Sequence, residues 1–126
     1  MKNVAIIPAR GGSKRIIGKN IRLFHNKPII SWVISLALAS DCFEKIIVST
    51  DCNETAKLGR SLGAEVPFLR PKKISDDHTS VIEVIRHAIE FFQSQDEFYE
   101  LVTLIYPTAP LTKVSVLKRA IRSIGE

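Results

Sequence analysis

Acidic residues are missing from the first third of this chain. Residues 1–40 hold seven Lys/Arg and no Asp or Glu, and the first acid is Asp41. The remainder carries eleven bases against thirteen acids, so the whole net charge of +5 comes from the opening segment. Charge gathered in this way points to an anion site. Diffuse nucleic-acid binding would scatter bases along helices or interleave them with aromatics, so no nucleic-acid partner is expected. Long apolar runs are missing too. None approaches the ~20 residues of a membrane span, and the opening MKNVAIIP is too short for a signal peptide and breaks at Pro8. A cytoplasmic protein with no membrane partner is expected.

Cysteine is scarce. Cys42 and Cys52 flank a strand predicted over 45–50. At about 3.3 Å per residue that strand holds them too far apart to bridge. They lack metal-site company, and two free thiols fit a reducing compartment. There is no Ser/His/Asp signature, and neither thiol has a partnered base, which argues against nucleophilic catalysis. Repeats, low-complexity stretches and linkers are absent as well. The 126 residues read as one domain, large enough for a core.

What is present alternates between β and α. Residues 4–7 are apolar throughout, as in a strand buried on both faces. A polar, glycine-containing loop follows to about residue 27. Pro28 suits the first turn of a helix predicted over 29–39. Residues 46–48 form a second short β run, ending in Ser49-Thr50-Asp51. A helix over 53–62 stops at Gly63. Residues 66–69 are a third strand, interrupted by Pro67. A helix is predicted over 78–93, with Val81, Ile82, Ile85, Ala88, Ile89 and Phe92 sharing one face. Residues 101–106 form a fourth buried strand, stopped by Pro107, and a last helix is predicted over 114–124. Alternating β-α units imply an α/β fold with a mostly parallel sheet covered on both sides. Ligands collect at the carboxyl ends of such strands, which is where PARGGSKR, STD and YPTAP fall.

The stretch IIPARGGSKRIIGKN at 6–20 is the most specific. Its glycines let backbone N–H groups approach an anion closely. Arg10, Lys14, Arg15 and Lys19 would repel one another without a counter-anion, and a triphosphate is the obvious candidate. Two common phosphate motifs fail on spacing. Gly12 and Gly18 enclose five residues where a P-loop has four, and Asn20 stands where its magnesium-binding hydroxyl would be. The dinucleotide G-x-G-x-x-G is absent.

That stretch, with IIVSTD at 46–51, GAEVPFLRP at 63–71, DDHT at 76–79 and LIYPTAPL at 104–111, resembles the CMP-nonulosonic-acid synthetases, cytidylyltransferases that activate sialic, pseudaminic and legionaminic acids. The resemblance implies a Rossmann-like, GT-A-like nucleotidyltransferase fold, a three-layer sandwich, and a Mg²⁺-dependent reaction. CTP would lie over the loop after the first strand, and the anomeric hydroxyl of a nine-carbon sugar acid would attack the α-phosphorus, releasing pyrophosphate. By the same resemblance Arg10 and Lys19 serve the chemistry. Ala9, Arg10, Gly11, Gly12, Ser13, Lys14, Arg15, Lys19, Asn20, Arg70, Asp77, Thr79 and Ser80 serve the nucleotide, with Asn20 and Arg70 near ribose and cytosine and 77–80 closing over the base. Tyr106 and Thr108 serve the sugar. Tyr106 in YPTAP, together with DDHT, is more like the pseudaminic-acid branch than the sialic-acid branch. Members of the family are about twice this length. Their second half carries the metal-binding aspartates, much of the sugar pocket and the dimerisation element, so this chain is expected to be an N-terminal half. No metal ligand is assigned within it, and a homodimer is expected of the complete enzyme.

Plainer roles stand beside these. Arg15 and Arg22 are divided between ligand contact and surface charge, and Ser13 between phosphate and loop backbone. Asp51 is as easily an N-cap as a ligand. Arg70, held extended by Pro71, favours function. His78 is expected to start a helix, and His25 and His87 to be surface or partly buried. Trp32 is expected in the core, and Tyr106 is divided between packing and the sugar. Two other functions remain: a non-catalytic nucleotide-binding domain, and a 3-deoxy-manno-octulosonate cytidylyltransferase.

Overall fold

A computed structural model describes residues 2–9, 23–24, 27–71 and 81–106. The first strand, β1 (Asn3–Pro8), is the centre of a parallel three-stranded sheet. On one side it pairs with β4 (Lys45–Ser49), with Ala5 opposite Ile46 and Ile7 opposite Val48. On the other it pairs with β5 (Leu101–Leu104), with Val4 opposite Val102 and Ile6 opposite Leu104. Between β1 and β4 the chain forms a short antiparallel hairpin, β2 (Leu23–Phe24) and β3 (Lys27–Pro28), and then α1 (Ile29–Ser40). Helix α2 (Asn53–Ser61) follows β4, and α3 (Val81–Ser94) precedes β5.

The uninterrupted apolar run of β1 is explained by its two buried faces. Ala5, Ile7 and Ala9 point into one core with Ile46 and Val48, covered by Ile30, Val33, Ile34 and Ala37 of α1 and Ala56 of α2. Val4, Ile6 and Ile47 point the other way, under Ala88 and Phe92 of α3. Helices, sheet and helix make the three layers that β-α alternation predicts. Gly59 lets α2 lie against the sheet: a Cβ there would come 3.3 Å from Val48 Cγ2.

Four expectations are corrected. The third strand, 66–69, reduces to an isolated parallel bridge between Glu65 and Ile47. Pro67 has no N–H, so the segment pairs with β4 only at Glu65 and again where Arg70 N–H donates to Thr50 O at 2.8 Å. The loop expected to run to residue 27 contains the β2–β3 hairpin, with Phe24 opposite Lys27. On α3 the buried stripe is Val84, Ala88 and Phe92; Ile82 is exposed, and Ile85 and Ile89 lie half-buried on its flank. The fourth strand ends at Leu104 and is half-exposed throughout, because it pairs only with β1 among the described residues. The helix expected over 114–124 lies outside those residues. Trp32 is half-buried, at the margin of the core.

The helix boundary predicted at Gly63 holds, with α2 ending at Ser61 and Leu62 as its C-cap. Gly63 takes φ +101°. Its N–H bonds Arg60 O at 3.2 Å and the N–H of Ala64 bonds Gly59 O at 3.0 Å, the paired C-terminal bonds of a Schellman turn.

Candidate functional site

From β1 the chain crosses to β4 and then to the Glu65 bridge on one side; after α3 it returns to β5 on the other side of β1. The direction of winding therefore reverses between β1 and β5. In open parallel sheets the crevice at the carboxyl ends of the strands flanking such a reversal is where ligands bind.

Four segments meet at that end. Ala9, buried, donates its N–H to Ser49 O at 2.8 Å, which carries the β1–β4 ladder one residue past the strand. Ser49 O accepts a second bond, from Arg70 Nη2 at 3.3 Å. Arg70 itself is only 5% exposed, and its backbone is held by Thr50 O. On the far side, Ile105 N–H donates to Ile6 O at 3.0 Å, and the half-exposed Tyr106 follows directly. One carbonyl, that of Ser49, thus joins the start of the basic loop to a nearly buried guanidinium.

Two residues before Arg70, Phe68 stands against His87 of α3. Phe68 meets its ring edge-on, with centroids 4.7 Å apart, and also contacts Phe91 one turn further along. Burial, and then the positive charge of Arg70, push the imidazole below its usual value, against a weaker opposing pull from Glu90. Neither His87 Nδ1 nor the hydroxyl of the fully buried Ser49 has a hydrogen-bond partner among the described residues. Sequence reading placed His87 as surface or partly buried and gave it no part here. The ring is half-buried, and the ring it meets, Phe68, lies on another segment, a contact that no local pattern signals.

Of the residues expected at the site, the structure thus brings together Ala9, Arg70 and the start of the Tyr106 segment. Arg10, Gly11, Gly12, Ser13, Lys14, Arg15, Lys19, Asn20, Arg22, Asp77, Thr79, Ser80 and Thr108 lie outside the described residues, as do His25 and His78. Asp51 is not the N-cap of α2: that position is Cys52, whose N–H is instead held by Thr50 Oγ1 at 3.1 Å. Both cysteines are free thiols. Among the described residues no group of three His, Cys, Asp or Glu side chains could hold a metal ion, and no helix is long and apolar enough to cross a membrane.

Residues 4–126 match the cytidylyltransferase family. The chain belongs to that family. Among relatives of this cytidylyltransferase chain, the pseudaminic acid cytidylyltransferase of Campylobacter jejuni is 48% identical over 120 residues, which cover 95% of this chain and 52% of the relative. The CMP-N,N'-diacetyllegionaminic acid synthase of Legionella pneumophila is 41% identical over 121 residues, 96% of this chain and 52% of the relative. The chain spans about half the length of the relatives it matches. The fold is shared with a CMP:2-keto-3-deoxy-manno-octonic acid synthetase solved with CTP, at TM-score 0.79 and 21% identity, covering 99% of this chain and 48% of that one.

Proposed function

We propose that this chain is the nucleotide-binding part of a cytidylyltransferase that transfers CMP from CTP to a nonulosonic acid, pseudaminic acid first among the candidates, with release of pyrophosphate. The observation that carries the reading is the 48% identity to a protein named pseudaminic acid cytidylyltransferase across 95% of the chain. Its support in the structure is the reversal of winding beside β1, with Ala9 and Arg70 bound to one carbonyl where a nucleotide would sit. Phosphoryl transfer of this kind asks mainly for positioning and neutralisation of charge. A guanidinium 5% exposed acts through little water, so its field on a nearby anion is weakly screened. Arg10, Lys14 and Lys19 are the proposed triphosphate contacts, with Asn20, Asp77, Thr79 and Ser80 about the nucleoside and Tyr106 and Thr108 toward the sugar. The described residues do not fit a magnesium site.

Calorimetry with CTP, ATP and UTP tests the nucleotide; binding with preference for CTP is expected, and equal binding of all three would count against the reading. A panel of sugar acids, with detection of the CMP-sugar product, tests the acceptor. Lys19→Ala is expected to cost more activity than Arg22→Ala in the complete enzyme, and equal small effects would remove the triphosphate assignment. A second reading, nucleotide binding without turnover, is favoured by one fact: among the described residues no group of three His, Cys, Asp or Glu side chains could hold a metal ion. Pyrophosphate release by the chain alone, given Mg²⁺, CTP and the sugar acid, would refute it.

A further inference from the structure

We propose that Ser49 is a positioning residue, its buried hydroxyl giving the Arg70 guanidinium a second acceptor when CTP binds, beside the Ser49 carbonyl that it already meets. The inference rests on the reading that CTP lies at this end of the sheet.

The hydroxyl is out of keeping with its surroundings. Side chains alternate along β4, so Ser49 shares the face of Ile47, the one that packs with Val4 and Ile6 under Ala88 and Phe92. In the β1–β4 register it stands opposite Pro8. Ser49 is fully buried, and its Oγ has no hydrogen-bond partner among the described residues. Three other buried hydroxyls are treated differently. Ser31 Oγ donates to Pro28 O and Ser40 Oγ to Ala37 O, each at 2.7 Å, and Thr50 Oγ1 accepts the N–H of Cys52 at 3.1 Å. Nearby backbone satisfies each of them. A buried hydroxyl left unbonded costs more than an alanine on the same apolar wall, so it calls for a bond made in another state of the protein.

Arg70 is the donor that the geometry offers. Its Nη2 donates to Ser49 O at 3.3 Å, long for a bond from a charged group. That oxygen also accepts the N–H of Ala9 at 2.8 Å, so one acceptor is shared between two segments that lead to the site. A guanidinium carries several N–H donors in a planar fork. It can therefore take in the Ser49 hydroxyl and keep its other contacts. Bonds in such sites are often long in the free protein and tighten in the complex. Ser49 has no exposed surface with which to touch a nucleotide, so it acts through Arg70.

The experiment compares the protein with Ser49→Ala, by CTP calorimetry and by a denaturant melt without ligand. CTP affinity is expected to fall roughly tenfold in S49A, the low end for loss of a hydrogen bond to a charged group. The melting midpoint should not fall with it, because the change removes a hydroxyl that has no bond in the structure. A purely structural hydroxyl would give the reverse, a lower midpoint with affinity unmoved. Ser49→Cys, close in shape but weak as donor and acceptor, should behave as S49A does, and it serves if S49A fails to fold. Unchanged or tighter CTP binding, or weaker binding accompanied by a lower midpoint, overturns the inference and leaves the proposed function standing. A folded wild type that binds no CTP overturns both.

Discussion

At the amino end of the sheet, charged groups are spent on one another. Lys45 Nζ donates to both oxygens of Glu97, at 3.1 and 3.0 Å. The Tyr99 hydroxyl donates to the same carboxylate at 3.0 Å, and Lys2 Nζ lies 5.2 Å from the centre of the Tyr99 ring. This cluster ties the starts of β1, β4 and β5 together. Among the described residues Asn3 Oδ1 is buried there without a partner, while its Nδ2 donates to Cys42 O. The carboxyl end differs. Ser49 Oγ and His87 Nδ1 point at nothing among the described residues, and a buried cation sits beside them. An end whose polar groups satisfy each other can only hold the fold. Under the proposed function, the end that keeps more of its buried polar groups unpaired among the described residues is the one that meets the nucleotide.

The sharpest way to break this contrast is Arg70→Ala. Hydrogen bonds involving a charged group are worth ~1.5–3 kcal/mol, so CTP affinity should fall about tenfold or more. Unchanged affinity by calorimetry would show that the carboxyl end is as structural as the other. Gly63→Ala is the matching change at the amino end. It forces a side chain onto φ +101° and sets its Cβ 3.3 Å from Leu38 Cδ1, which should cost ~1–2 kcal/mol in a denaturant melt. CTP affinity should stay as it was. Asp96→Gly should run the other way. Asp96 occupies φ +58° after α3, where its N–H bonds Gln93 O and the N–H of Glu97 bonds Phe92 O at 2.8 Å. Relief of the left-handed conformation, less the entropy that glycine adds to the unfolded chain, leaves a gain of ~0.5–1 kcal/mol.

The same contrast marks how far the sequence could be read. Apolar runs such as Val4-Ala5-Ile6-Ile7 announce doubly buried parallel strands because no polar residue offers a solvent face. Gly63 announces its turn because few other residues accept its φ. The face of α3 was harder: Ile82, Ile85 and Ile89 form as good an apolar stripe as Val84, Ala88 and Phe92, and only the angle at which the helix meets the sheet chooses between them. Arg70 was legible from its place before Pro71 in GAEVPFLRP. Its acceptor, Ser49 O, lies 21 residues away and is backbone, which leaves no trace in residue identity. The contact of His87 with Phe68 was illegible for a like reason, since it depends on a neighbour brought close by the return of the chain through α3.

The smallest effect is expected from Glu97→Gln, and its pH dependence matters more than its size. Hydrogen bonds from Lys45 and then from Tyr99 hold the Glu97 carboxyl below its usual value of 4.5. A depressed carboxylate contributes stability that is present above the unfolded value and is lost as pH falls through the folded one. Hydrogen bonding to Glu97 raises Lys45 above 10.5, against desolvation. Burial, and then the bond to Glu97, raise Tyr99 above 10.0. Those two contributions are present below the unfolded values and are lost as pH climbs past the folded ones. The cluster should therefore be intact across the neutral range and fail at both extremes. In E97Q the acid limb should disappear from a plot of melting temperature against pH, most visibly below about pH 4.5. Affinity for CTP at neutral pH should not move. If E97Q instead weakened CTP binding, the two ends would be coupled through β4, and the division of labour between them would be wrong.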